Sequence, residues 1–119
     1  MKRCDEHRLQ CACVRLFRLQ YPHLSLLLFA VPNGGARDAV TGARLKAEGV
    51  VAGVADLILL TPSADGSAHA LCLELKTAKG RQSDSQRDFQ AAATAAGNRY
   101  VIIRSLEDFI AEVYLYLGK

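Results

Sequence analysis

The spacing of hydrophobic and polar residues predicts that helices and short strands alternate along the chain. Apolar residues recur at helical spacing over residues 5–19, and Pro22 ends this first helix. An apolar run over residues 25–31 has the length of a strand and leads into the turn-forming sequence Pro32-Asn33-Gly34-Gly35. A short or broken helix is expected over residues 36–48, because a glycine interrupts its pattern.

The second half of the chain continues this alternation. Residues 54–61 and 69–77 predict two strands joined as an antiparallel hairpin. Helices are predicted over residues 83–96 and 106–117, each with a serine cap, and a strand over residues 100–104. The order is helix, strand, helix, strand, strand, helix, strand, helix. This order indicates an α/β (α+β) fold with one mixed sheet flanked by helices.

Composition narrows the class of protein. The chain has 119 residues, half of them hydrophobic and 23% charged, so residues 1–119 are expected to form a single globular domain. The net charge of +3 permits binding to a phosphate backbone but does not require it. No apolar run is long enough to span a bilayer, and the N-terminus carries no secretory signal, so we expect a cytoplasmic protein without a membrane partner. Its four cysteines are then expected to be free thiols.

The most informative residue is Asp56, a single carboxylate within an apolar predicted strand. The next strand places Glu74 and Lys76 on one face, two residues apart, and leucines on the other. Asp56 lies opposite Glu74 only if the hairpin turn is centred on Asp65. A two-residue turn at Asp65-Gly66 would send the two carboxylates to opposite faces.

Two adjacent carboxylates predict a divalent cation between them, and hard oxygen ligands suit Mg²⁺, with Mn²⁺ as a substitute. Such an ion can activate water for phosphodiester hydrolysis, while Lys76 orients the water or offsets negative charge. The alternative is a structural ion pair between Asp56 and Lys76, with Glu74 solvated. Spacing alone leaves both interpretations open.

The Asp56, then Glu74-Leu75-Lys76 arrangement resembles the D…ExK core of the PD-(D/E)xK nuclease superfamily. Within it, the chain resembles the stand-alone VRR-NUC domain of phage proteins, which also occurs at the end of larger DNA repair nucleases. The resemblance covers nearly the whole chain and implies a restriction-endonuclease-like core. It also includes Glu6, the Pro32-Asn33-Gly34-Gly35 loop, Gly49-Val50 leading through Gly53, and Gln86 with Phe89.

Roles for single residues follow from this resemblance. It implies that Asp56, Glu74 and Glu6 are metal ligands, aided by the main-chain carbonyl of Leu75. Lys76 is then the catalytic lysine, and Gln86 lines the site. For two of these residues a simpler explanation exists, because Glu6 also suits a helix start and Gln86 also completes a capping box with Ser83.

Two positions depart from the pattern that the resemblance leads us to expect. Ala55 stands where the superfamily has proline, which carries no metal ligand. Ala52 stands where a basic residue is expected, which weakens the expected contact with DNA.

Contacts with DNA are predicted on both sides of the site. The main-chain N–H groups of Asn33, Gly34 and Gly35 are expected to come close to a phosphate, because glycine permits such an approach, although the same residues suit a plain turn. A rim of basic side chains is the second candidate, with scattered surface charge as the alternative. Its members are Lys79, Arg81 and Arg87, and after the glycine loop Arg37, Arg44 and Lys46.

The resemblance implies an Mg²⁺-dependent endonuclease that cleaves structured or branched DNA, such as a four-way (Holliday) junction, as a homodimer. The apolar last helix is the candidate dimer interface. Two rivals come from other classes: a DNA-binding module without catalysis, and a structural or regulatory protein without a nucleic-acid partner.

His7 and Cys11 have the spacing of a zinc pair, but one helix cannot surround a tetrahedral ion, so zinc is not expected.

Overall fold

The structure, a computed structural model, describes residues 2–32 and 39–119. Four α-helices occur in this part of the chain: α1 Lys2–Gln20, α2 Ala39–Ala47, α3 Asp84–Ala95 and α4 Leu106–Leu117. The strands are β1 Leu28–Ala30, β2 Leu57–Leu59, β3 Leu71–Leu75 and β4 Arg99–Ile103, and a 3-10 helix, Pro22–Leu27, precedes β1. The predicted order of helices and strands is confirmed.

The four strands form one mixed sheet in the order β1-β2-β3-β4. The first three strands are antiparallel to their neighbours, whereas β4 runs parallel to β3. A parallel pair needs a crossover, and α3 supplies it. Because β3 lies between β2 and β4, Glu74 is on an interior strand, and Lys76 directly follows it.

One predicted strand is partly wrong. Residues 25–27, predicted as the start of β1, belong to the 3-10 helix. Pro22 occupies the first turn of this helix and fixes its own φ, and the Leu24 N–H donates to the Tyr21 carbonyl at 2.9 Å. Residues 25–27 therefore have the composition of a strand but belong to the 3-10 helix that precedes it.

The two faces of the sheet bury different residues. The leucine face packs against α1 and α4, where Phe17 and Phe109 are almost fully buried. Its core includes Leu57, Leu59, Leu71, Leu73 and Leu75. The opposite face carries a smaller cluster around Ala55, Cys72 and Ala93, with α3 as its cover. The period-two alternation predicted for β3 is thus confirmed.

The hairpin between β2 and β3 has the register predicted from a turn centred on Asp65. Leu57 pairs with Leu73, and Ile58 pairs with Cys72. Asp65 Oδ1 accepts a hydrogen bond from the Ser67 N–H at 2.9 Å, which fixes the turn. The competing register, with Asp56 opposite Leu75, is not the one observed.

Among the residues described, no helix combines the length and the apolar character that a membrane span needs. Cys11, Cys13 and Cys72 are free thiols.

Candidate active site

Asp56 lies immediately before β2, at the point where the antiparallel ladder opens. Its main-chain carbonyl accepts from the Val31 N–H at 2.9 Å, and its Oδ2 accepts from the Leu75 N–H at 2.7 Å. The Asp56 side chain therefore accepts the hydrogen bond that a main-chain carbonyl would accept in a regular antiparallel pair. It connects the start of β2 with the end of β3. This contact turns the Asp56 carboxyl toward Glu74.

Glu74 is the buried charged residue of the sheet, with 1% of its surface exposed. Its Oε2 accepts from Gln86 Nε2 at 2.7 Å and lies 3.7 Å from Lys76 Nζ. Its Oε1 is buried and has no hydrogen-bond partner in the described part of the chain. A buried carboxyl oxygen that receives no hydrogen bond is costly, so this atom requires either a proton shared with the Asp56 carboxyl or a bound cation.

Burial and the nearby Asp56 carboxyl raise the pKa of Glu74 to about 8, and Lys76 only partly offsets this. Burial also raises the pKa of Asp56, although the Leu75 N–H opposes the rise. The two carboxyls adjoin each other, so without a cation they share a proton near neutral pH.

Lys76 extends from the end of β3 into the same cleft. Its main-chain N–H donates to the Ile103 carbonyl at 3.0 Å, which continues the parallel ladder with β4. Its side chain is only 12% exposed, and the ammonium faces Glu74. The acid and the base predicted on one strand face are thus close together.

Gln86 performs both functions that the sequence suggested as alternatives. Its Oε1 accepts from the Ser83 N–H at 2.8 Å, and its own N–H donates to Ser83 Oγ at 3.2 Å, which completes a capping box. Its Nε2 remains free for Glu74. The start of α3 is therefore connected directly to the buried carboxyl.

Gly53 sets how closely α3 approaches this cleft. Its φ is +87°, and a Cβ at this position would lie 2.3 Å from the Ser85 carbonyl oxygen and 2.8 Å from the Gln86 nitrogen. Only glycine accommodates both the conformation and the contact. The resemblance included Gly53, but the sequence alone did not indicate that it packs against α3.

These residues surround one cleft of about 560 Å³. The α1 helix contributes Glu6 and Gln10 to it, and the negative charge of Glu6 adds to the rise in the pKa of Glu74. The lining also includes Ala30, Val31, Pro32, Ala52, Gly53, Asp56, Glu74, Lys76, Ser83, Ser85 and Gln86. The cleft brings together Glu6, Asp56, Glu74, Lys76 and Gln86, the five side chains to which the resemblance assigns roles.

The donor set fits a hard divalent cation. Asp56 and Glu74 present adjoining carboxyls, and the unpartnered Glu74 Oε1 is the expected position of a ligand atom. No group of three or more His, Cys, Asp or Glu side chains is placed to hold a metal within the described residues. Asp56 and Glu74 are therefore the two carboxylates that could bind a cation here, and Glu6 lines the same cleft.

Tyr100 is a residue near the site that the sequence analysis missed. It pairs with Cys72 across β3 and β4, on the face that also carries Glu74. Gln82 Nε2 donates to its hydroxyl at 3.2 Å, and burial raises the pKa of Tyr100 to about 12, with Glu74 and Asp56 adding to the rise. No local motif could have found it, because its place depends on the parallel pairing of two distant segments.

The predicted DNA contacts have different surroundings. Lys79, Arg81 and Arg87 are exposed on the segment between Lys76 and the first turns of α3, but Arg87 is paired with Asp84. Arg44 on α2 is within 4.0 Å of Glu48 and Lys46 is exposed. The predicted contacts at Asn33, Gly34, Gly35 and Arg37 lie outside the described residues.

The His7 and Cys11 pair lies on the surface of α1. Their Nε2 and Sγ atoms are 3.6 Å apart, and both residues are exposed. The described residues around them complete no group of three metal ligands.

The fold and the site define a class: a mixed-sheet α+β protein whose central hairpin directs two carboxyls and a lysine into one cleft. A solved structure with the same architecture is a VRR_NUC domain protein, which superposes with a TM-score of 0.82 over 95% of this chain and 88% of its own. The two sequences are 20% identical, so the likeness establishes the fold and not the activity. No protein-family model matches the sequence, and no curated protein is significantly similar to it. The fold expected from the VRR-NUC resemblance is confirmed.

Proposed function

We propose that this chain is a nuclease of the VRR-NUC type, an Mg²⁺-dependent endonuclease that hydrolyses DNA phosphodiester bonds. The observation that carries the proposal is the Asp56–Glu74 carboxyl pair, with Lys76 Nζ 3.7 Å from Glu74 Oε2 in a cleft. A structural ion pair between Asp56 and Lys76 would leave Glu74 solvated, whereas Glu74 is 1% exposed and lies beside both the Asp56 carboxyl and the Lys76 ammonium. The VRR_NUC fold supports the same conclusion.

Asp56 and Glu74 would hold the cation, and the main-chain carbonyl of Leu75 is the proposed third protein ligand. When bound, Mg²⁺ supplies Lewis-acid chemistry: it polarises a phosphoryl oxygen and lowers the pKa of water. Glu6, across the cleft, is proposed to act through a water molecule.

The chain's own side chains supply the remaining steps. Lys76 orients the attacking water and offsets the negative charge that develops on the phosphate. Gln86 donates to Glu74 and so fixes the direction of that carboxyl. Lys79 and Arg81 are exposed beside the cleft and are the proposed contacts to neighbouring phosphates, together with Asn33, Gly34, Gly35 and Arg87.

The proposed substrate is structured or branched DNA, such as a four-way junction, and the proposed active form is a homodimer. A two-fold dimer would place two clefts on opposing strands of a junction. Support for an interface comes from α4, where Ile110, Tyr114 and Leu115 are exposed at 41%, 59% and 69%.

Cleavage of labelled DNA tests this proposal. Wild type, Glu74→Gln and Lys76→Ala are incubated with a four-way junction or a linear duplex, in Mg²⁺ or in chelator. We expect wild type to cleave in Mg²⁺ alone, to prefer the junction, and to lose at least about a hundredfold in rate with either substitution. Glu107→Gln, an exposed carboxylate at the start of α4, is the matched control and should cleave normally.

Two outcomes would contradict the proposal. Intact DNA with wild type in Mg²⁺, together with salt-sensitive binding, would favour a DNA-binding module that has this fold without catalysis. Equal cleavage by wild type and Glu74→Gln would show that the Asp56–Glu74 pair is not the reaction centre.

A further inference from the structure

Arg104 follows β4, yet its guanidinium is bound to the segment that follows β3. Its Nη1 donates to the carbonyl oxygens of Thr77 and Gly80, both at 2.8 Å, and lies 3.4 Å from that of Ala78. The Gly80 N–H donates to the Thr77 carbonyl at 3.1 Å, so these residues form a closed turn, the 77–80 turn. One cation thus holds three carbonyl groups of a single turn.

The 77–80 turn lies beside the side chain of Lys76. A Cβ added at Gly80 would be 3.4 Å from Lys76 Cδ and 3.1 Å from Thr77 Oγ1, so Gly80 has room for little more than a hydrogen atom next to the lysine stem. The Lys76 side chain is accordingly 12% exposed. A lysine has four rotatable side-chain bonds, and holding its ammonium in one place requires such a contact.

Arg104 is itself fixed by the sheet and by α4. The residue before it, Ile103, accepts from the Lys76 N–H at 3.0 Å, and the Arg104 N–H donates to Asp108 Oδ2 at 3.0 Å. Its main chain is therefore anchored next to β3. The guanidinium extends from this anchor to the turn, which has no helix or strand of its own.

We propose that Arg104 is a positioning residue for phosphodiester hydrolysis, because it locks the 77–80 turn onto the stem of Lys76 and so holds the ammonium beside Glu74. Its role in hydrolysis rests on the proposed function. The placement of Lys76 by the turn does not, and it is tested separately.

The placement is measured on metal-free protein by acetylating lysines with a small reagent and following each site by mass spectrometry. In Arg104→Ala, Lys76 should react about fivefold faster than in wild type, because its Nζ is no longer held in the cleft and becomes accessible to the reagent. Exposed Lys46 provides the internal reference. Arg99→Ala is the matched control, since Arg99 lies at the other end of β4 and pairs with Glu112 at 2.8 Å. An unchanged Lys76 rate in folded Arg104→Ala would overturn the proposal.

The consequence for hydrolysis is tested with two measurements: the rate constant of single-turnover cleavage in Mg²⁺, and the dissociation constant for DNA in chelator. Arg104→Ala should lower the cleavage rate constant about tenfold and change the dissociation constant by less than about twofold. Guanidinium ion at low millimolar concentration should restore part of the rate in Arg104→Ala and none in Lys76→Ala. An equal loss in binding and cleavage would instead assign the turn to DNA contact and overturn the proposal.

Two safeguards keep the result interpretable. If Arg104→Ala loses its circular-dichroism spectrum, Arg104→Gln replaces it, because the amide retains N–H donors toward the turn. If wild type cleaves no DNA, the proposed function fails, and the acetylation experiment still decides whether Arg104 positions Lys76.

Discussion

Gln86 binds the buried carboxyl of Glu74 with one end of its amide and the cap of α3 with the other. The Nε2–Oε2 distance is 2.7 Å, and Gln86 Oε1 lies 2.8 Å from the Ser83 nitrogen. Gln86 Oε1 already accepts a hydrogen bond from the Ser83 N–H. The orientation of the amide is therefore fixed, and only its N–H groups face Glu74. A single side chain, Gln86, thus connects the N-terminal cap of α3 with Glu74, the candidate metal ligand.

Gln86→Ala should therefore impair stability and activity together. Loss of the capping box and of one buried hydrogen bond is expected to cost about 1–2 kcal/mol of unfolding free energy. Cleavage should fall about tenfold, because Glu74 loses the donor that directs it. Gln90→Ala, on the same helix, is the control for stability measured in urea. A Gln86→Ala protein with wild-type activity would show that Glu74 needs no such support.

Gly53 provides a sharper test of how closely α3 must approach. In Gly53→Ala the new Cβ meets the Ser85 carbonyl and the residue retains a positive φ, so α3 has to move. We expect a loss of about 2–3 kcal/mol in unfolding free energy and a large loss of cleavage. Gly42→Ala is the matched control, because a Cβ there meets nothing within 4 Å.

Gly42 lies inside α2, so its replacement by alanine should leave stability unchanged or raise it by up to about 1 kcal/mol. Thermal unfolding of both variants makes the comparison. If Gly53→Ala is as stable and as active as Gly42→Ala, the close approach of α3 to Gly53 is not needed for stability or cleavage.

The contrast between these two glycines shows what the sequence could predict. Periodicity identified the helices, the hairpin and the face shared by Glu74 and Lys76, because these depend on local spacing. The contact of Gly53 with α3 and the place of Tyr100 depend on segments that are distant in the chain. The start of β1 was mispredicted, because its leucines suit a strand and a 3-10 helix equally well.

The pairing of Asp56 with Glu74 could be predicted from the sequence only in part. Sequence reasoning identified both carboxylates but left two registers open, and Asp65 decided between them by bonding to Ser67 in the turn. The role of Glu6 as a metal ligand was taken from the resemblance. The structure places it in the cleft without a third ligand position beside Asp56 and Glu74 in the described residues.

The raised pKa of Glu74 predicts an unusual dependence of stability on pH. Its pKa is about 8 in the folded protein against an ordinary value of 4.5, so the folded state retains a proton that the unfolded state releases. Stability in chelator should therefore fall as pH rises from about 4.5 to about 8, by an amount on the order of a few kcal/mol, and then level off. Asp56, whose pKa is also raised, adds in the same direction.

Urea denaturation from acidic to mildly alkaline pH measures this slope, and Glu74→Gln should remove most of it. Added Mg²⁺ should stabilise wild type more at alkaline than at acidic pH, since the cation must displace the shared proton. A wild-type slope identical to that of Glu74→Gln would show that Glu74 does not carry the extra proton.

The exposed side chains of α4 predict how the proposed homodimer is held. Ile110 and Tyr114 lie one turn apart on the same side of the helix, and Leu115 follows Tyr114, so a partner would cover an apolar patch near the end of α4. Tyr114→Lys should convert the dimer to a monomer in light scattering after size exclusion, because it buries an unpaired charge in the interface. Leu26→Lys is the control, since Leu26 is 92% exposed but lies outside α4. If the protein is dimeric and Tyr114→Lys leaves it so, the interface lies on another surface.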